Sequence, residues 1–153
     1  FPPRRSSDLP REWKGHRYDV KTLAYLDQHE VRKGAFAHLC KYEIENEPEP
    51  EGRGTHFYRI CLQDDRILDA VERANSFIRL SPLLLYIAAH ELVHVIRFDR
   101  GEVNFDAPEA EKSEEEEAVH RITRNLLRPM TDPDLSLVLD CFSNRYQIGD
   151  LIH

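Results

Sequence analysis

The sequence predicts an α+β domain, and three observations carry that prediction. Two segments, Phe36 to Glu45 and Thr55 to Leu62, alternate along the chain with the period of a β-strand. A segment from Pro82 to Phe98 is apolar over most of a helical circumference. Another, from Pro108 or Ser113 to Arg128, repeats at helical spacing and stops at Pro129, which cannot continue a helix.

In chain order, Phe1-Pro2-Pro3-Arg4-Arg5-Ser6-Ser7 lacks the apolar stretch of a signal peptide. It predicts an extended or disordered lead-in over residues 1–18, followed by a single domain over 19–153. Asp19 to Lys33 places Leu23, Ala24 and Leu26 at helix-like intervals and ends at Gly34, so a first helix is expected there. The first strand presents Phe36, His38, Cys40, Tyr42 and Ile44 on one side, and the second presents His56, Tyr58, Ile60 and Leu62. Residues 45–54 combine Pro, Gly and repeated Glu, the composition of a solvated hairpin loop. Arg66 to Ala74 predicts a short helix and Ser76 to Leu80 a short strand. Ser81-Pro82 then reads as a capping serine with proline in the first helical turn. Asp134 to Phe142 predicts a last helix.

Composition narrows the function. With 153 residues, 41% of them hydrophobic, the chain can bury one core and is too apolar for a disordered protein. The net charge of −7 is concentrated: residues 43–51 and 109–117 together contribute −10 and leave the remainder at +3. The arginines outside those stretches are scattered, which does not make the clustered basic face that nucleic acid requires. The longest uninterrupted apolar run, Leu83 to Ala89, is seven residues, well short of the roughly 20 of a membrane span. Cys40, Cys61 and Cys141 form no C-x-x-C pair and leave one thiol over under any pairing. They read as buried apolar fillers in a reducing, cytoplasmic setting.

The central signal is His90-Glu91-Leu92-Val93-His94. An H-E-x-x-H pattern sets two imidazoles four residues apart on one helical face, close enough to hold one Zn²⁺, with a glutamate beside them to act as base. On a helical wheel Leu83, Tyr86, Ile87, His94 and Arg97 fall near His90. Leu84, Leu85, Ala88, Ala89, Leu92, Val95 and Ile96 occupy the opposite arc. That arc predicts a core-facing back, with the histidines turned into a cleft.

A catalytic zinc takes three protein ligands and a water, so a third donor must come from elsewhere. In Glu114-Glu115-Glu116-Glu117-Ala118-Val119-His120, Glu116 and His120 share the inward side, while Glu117 falls beside Arg121 and Arg124 on the solvent side. Glu116 is the favoured third ligand. His120 is the alternative, or a group that orients a ligand. If the helix starts at Ser113, Glu116 instead completes a capping box.

These residues resemble those of the gluzincin metallopeptidases, in which one helix carries H-E-x-x-H and a second supplies a glutamate. Within that group the chain looks like the small ImmA/IrrE-type proteins. Their second motif, E-x-x-A-N-x-F-A-x-x-L-L-x-P, aligns without a gap: Glu116, Leu126, Leu127 and Pro129 carry its residues, and Val119, His120, Ile122 and Thr123 are substitutions in it. The resemblance covers about Ser76 to Pro129. It implies a zincin-like domain: a short, twisted, mainly antiparallel sheet packed on the active-site helix, a second ligand-bearing helix, and a polypeptide substrate along an edge strand, Ser76 to Leu80 or Thr55 to Leu62.

The expected chemistry is peptide hydrolysis, with His90, His94 and Glu116 holding one Zn²⁺ and Glu91 as general base. Tyr86 and Arg97, one turn either side of the histidines, are the local candidates to stabilise an oxyanion. A buried ring with a satisfied hydroxyl and an ion pair are their respective structural alternatives. His38 and His56 on the strands read as structural. The rival function is a catalytically silent metal-binding or regulatory module of the same fold.

Overall fold

A computed structural model describes residues 17–43, 56–75, 77–130 and 132–143 of the chain. The lead-in over residues 1–16 and the hairpin loop over 45–54 lie outside the described residues. Within them run three strands, β1 (Tyr18–Thr22), β2 (Ala37–Glu43) and β3 (His56–Leu62), and four α-helices, α1 (Asp64–Arg73), α2 (Leu80–Asp99), α3 (Glu109–Leu127) and α4 (Pro133–Ser143). Short 3-10 turns occupy Leu23–Tyr25, Gln28–Glu30 and Arg128–Met130. The α+β class is as the sequence predicts.

The sheet has the order β1-β3-β2. β2 and β3 pair antiparallel, as their alternation predicts, whereas β1 pairs parallel with β3. The sheet is therefore mixed rather than mainly antiparallel. β3 is its central strand, which overturns the expectation that Thr55 to Leu62 supplies a free edge.

The helix expected over Asp19 to Lys33 is replaced by β1, which begins at Tyr18, and two 3-10 turns. Long-range bonds decide this. Arg59 on β3 holds the Asp19 carboxylate with Nε and Nη2 at 3.0 and 2.9 Å. The Leu23 amide donates to Asp64 Oδ1 at the start of α1, 2.8 Å away. Local apolar spacing carries no information about either partner.

The register sorts the strands onto two faces. Tyr58, Ile60 and Leu62 share one face with Ala37, Leu39 and Lys41, while His38, Cys40 and Tyr42 share the other with Cys61, Arg59 and Phe57. The two alternating sets read from the sequence thus point to opposite sides of the sheet. Tyr58 stacks on Phe98 at 5.8 Å, so its face is turned toward α2. The opposite face is roofed by the 3-10 turn at Gln28–Glu30: fully buried Glu30 accepts from Tyr42 and from Arg59 Nη1. With cover on both sides, Ile60 and Cys61 are both buried although they are neighbours in sequence.

The strand expected over Ser76 to Leu80 is not formed by residues 77–79, and α2 already begins at Leu80. Arg79 is its cap residue and Ser81 lies inside the first turn, so the predicted serine cap is not made. Pro82 nevertheless sits where no intrahelical N–H is needed. The helix ends in a left-handed Gly101 (φ +72°), whose amide donates to Phe98 O at 3.1 Å. By length and composition alone α2 is apolar enough to cross a membrane. In the fold it is the central helix, packed against α1, α3, α4 and β2.

The core unites Phe36 with Ile67 and Ala70 of α1, Leu83, Tyr86 and Ile87 of α2, Leu127 of α3, and Leu135, Val138, Leu139 and Phe142 of α4. Leu83, Tyr86 and Ile87 lie on the histidine side of α2, and Leu85 on the predicted core side is 39% exposed. The predicted core-facing back holds in part, with Val95 fully buried and Leu84 and Ala89 packed on the core, but the histidine face is buried as well, covered by α3 and α4.

Candidate metal centre

α2 supplies the histidines, and i,i+4 spacing brings His90 Nε2 and His94 Nε2 to 3.2 Å from each other. Across them stands Glu116 of α3. Its Oε2 lies 2.8 Å from His94 Nε2 and 3.2 Å from His90 Nε2, and its Oε1 lies 3.4 Å from His90 Nε2. Two nitrogens bound to one tetrahedral zinc stand about 3.3 Å apart, so two nitrogens and a carboxylate oxygen are already at the spacing of a shared ion. The chemistry of this donor set fits Zn²⁺.

Glu116 reaches this position because α3 begins at Glu109 with Pro108 as cap residue, not at Ser113. Glu116 is thus in mid-helix, and the capping-box alternative is excluded. Its side chain is 52% exposed against 9% and 12% for His90 and His94, so the centre is buried on the helix side and open to solvent at the carboxylate.

The electrostatics follow from this packing. Desolvation raises the Glu116 carboxyl, but hydrogen bonds and charge from His90 and His94 outweigh it and hold the group well below the usual carboxylate range. His94 is desolvated too, yet its hydrogen bond to Glu116 and the charges of Glu91 and Glu116 raise it above the ordinary histidine value. Glu91, 7% exposed, is therefore within electrostatic reach of the pair. His90 Nδ1 and His94 Nδ1 are buried with no hydrogen-bond partner among the described residues. Both rings are oriented through Nε2 toward Glu116.

His120 sits one turn beyond Glu116, its ring centroid 4.4 Å from that of His90. Its Nδ1 and the Tyr86 hydroxyl are 2.5 Å apart. Donor atoms of His90, Glu116 and His120 all lie within 4.8 Å of one another, so His120 stays within reach of the centre. Desolvation, followed by the charge of His90, lowers its pKa to about 4 and keeps the ring neutral.

Of the two oxyanion candidates, each takes its structural alternative. Tyr86 is 1% exposed, stacked on Phe142 at 4.0 Å, with its hydroxyl on His120. Arg97 is bound to Glu115 through Nε at 2.6 Å and Nη2 at 2.9 Å, and to Glu102 through Nη1 at 3.1 Å. Glu115 is the residue that sequence reasoning missed. It is buried and continues the buried i,i+4 line Val119, Thr123, Leu127, a line visible in the sequence had Glu115 been placed on it. His56 is structural, 2.9 Å from Asp99, and His38 faces away from the centre on the other side of the sheet.

Compared with known proteins, the chain matches no family model, no curated protein and no solved structure.

Proposed function

We propose that the protein is a zinc-dependent peptidase, with His90, His94 and Glu116 as the metal-holding residues and Glu91 as general base. The observation that supports this most is the convergence of Glu116 from α3 on both histidines of α2, at 2.8 and 3.2 Å. Bound there, Zn²⁺ would supply a Lewis acid for a peptide carbonyl and make an attacking water more acidic. Glu91 takes the proton of that water and returns it to the leaving amine. Glu116, kept ionised by the histidines, leaves the site with one permanent negative charge to balance a divalent ion. His120 stays neutral and, through Tyr86, is fixed in orientation beside His90. The substrate class is a polypeptide, approaching from the solvent-exposed side at Glu116.

One observation favours the second reading, a metal-binding module without hydrolysis. The Tyr86 hydroxyl is engaged with His120 and Arg97 with Glu115, so an oxyanion would have to compete with those contacts. Glu91→Gln separates the two readings. A peptidase retains zinc in this variant and loses cleavage of an unstructured polypeptide by about 10²-fold or more. No cleavage by either form, with zinc bound in both, supports the binding module.

A further inference from the structure

The face of the sheet turned away from α2 holds a second cluster of metal-ligating side chains. In the β2–β3 register His38 lies opposite Cys61 and Cys40 opposite Arg59, so alternation brings His38, Cys40 and Cys61 to one face. Cys40 Sγ and Cys61 Sγ are 3.8 Å apart, and these sulfurs and a ring nitrogen of His38 all lie within 4.8 Å of one another. We propose that His38, Cys40 and Cys61 form a binding site for a thiophilic divalent ion of the zinc type, distinct from the α2–α3 centre and independent of the peptidase reading.

Three features support it. Two thiolates on one tetrahedral zinc, each at about 2.3 Å, stand about 3.8 Å apart, the spacing the two sulfurs already have. A sulfur and a nitrogen on the same ion stand about 3.6 Å apart, and the His38 nitrogen lies within 4.8 Å of both sulfurs. His38 Nε2 lies 2.5 Å from the Glu30 carbonyl oxygen, which only accepts, so Nε2 carries the proton and Nδ1 keeps the lone pair. A backbone carbonyl that fixes one ring nitrogen is the usual support of a metal-binding histidine.

The two sulfurs share a thiol hydrogen bond, from Cys61 to Cys40. On binding, both S–H protons pass to solvent and two thiolates neutralise the divalent ion, giving an uncharged site. Cys61 is fully buried, while His38 and Cys40 are half-buried, so an ion would reach the site from their side.

The test is titration of the full chain, reduced with a phosphine, with Co²⁺ as probe. Thiolate-to-cobalt charge-transfer absorption arises only from cysteine ligands, and the α2–α3 centre has none, so this band reads the sheet site alone. The band is expected to saturate at one equivalent per chain, to vanish in Cys40→Ser, to need about tenfold more cobalt in His38→Gln, and to survive in Cys141→Ser and Glu116→Ala. Circular dichroism checks that the Cys40 variant folds, and His38→Gln supplies an independent test if it does not. No band in the wild type at excess cobalt, or an unchanged titration in His38→Gln or Cys40→Ser, overturns the proposal. Loss of bound metal in Glu116→Ala with the band intact leaves it standing.

Discussion

Arg97 grips Glu115 with a two-pronged contact, Nε to Oε2 at 2.6 Å and Nη2 to Oε1 at 2.9 Å, and so ties α2 to α3 beside the face where His94 meets Glu116. The ligands of the candidate centre come from two helices, so whatever fixes the spacing of those helices also fixes the distance between their donors.

Breaking that tie is expected to loosen both the fold and the centre. Arg97→Ala leaves the Glu115 carboxylate, 8% exposed, without its two-pronged partner, at a cost of about 3 kcal/mol. Arg97→Lys keeps the charge and loses the fork geometry, so it should recover only part of that loss. Urea midpoints measure the stability, and zinc titration of the same variants should show weaker binding in proportion. Unchanged zinc affinity in a folded Arg97→Ala would mean that the helices hold their spacing without the pair.

Metal content tests the ligand set directly. About one zinc per chain is expected at the helix centre, lost in Glu116→Ala and retained in Glu117→Ala, whose side chain is exposed. Elemental analysis should be run in a Cys40→Ser background, so that the sheet site does not contribute. Zinc binds the folded state, so at about 100 times its dissociation constant it should add about 2.7 kcal/mol of stability, read as a rise in Tm that a chelator reverses. Loss of zinc only in His120→Ala would transfer the third ligand to that residue.

Tyr86→Phe isolates the contact with His120. The ring still fills its place against Phe142, so the loss should be confined to one buried hydrogen bond, about 1–3 kcal/mol. In the metal-free wild type, NMR titration should find His120 neutral down to about pH 4 and His94 still protonated above its ordinary pKa of 6.5. The reverse order of the two would contradict the electrostatics derived for the centre.

Glu30 supplies an acid-sensitive element remote from the helices. Burial works against its charge, but bonds from the Tyr42 hydroxyl, the Asp27 amide and Arg59 outweigh it and bring the carboxyl down to about 2. Because the folded value lies below the ordinary 4.5, the Glu30 contribution is complete above about pH 4.5 and is lost as the pH falls toward 2. Glu30→Gln should therefore be less stable than the wild type at pH 7, and the gap should narrow on acidification. A constant gap from pH 7 to pH 2.5 in chemical denaturation would show that Glu30 is not ionised in the fold.

What could be read without coordinates was local. H-E-x-x-H spacing places His90 and His94 on one face of any helix, and the helical wheel singles out Glu116 over Glu117, because both statements depend only on a 3.6-residue period. The α2, α3 and α4 segments and the β2–β3 pair were legible for the same reason: each is announced by its own periodicity and its own punctuation.

Contacts between distant residues were not legible. β1 carries helix-like spacing and becomes a strand because Arg59, forty residues away, holds Asp19 against β3. Tyr86 and Arg97 looked available to a substrate until α3 brought His120 and Glu115 against them. Cys40 and Cys61 read as fillers, and only the antiparallel register sets their sulfurs 3.8 Å apart beside His38. By itself the sequence determined the residues of the H-E-x-x-H helix and which of its neighbours share a helical face with them. The tertiary structure decided which of them meet, because hydrogen bonds, ion pairs and strand register join residues that no local period relates.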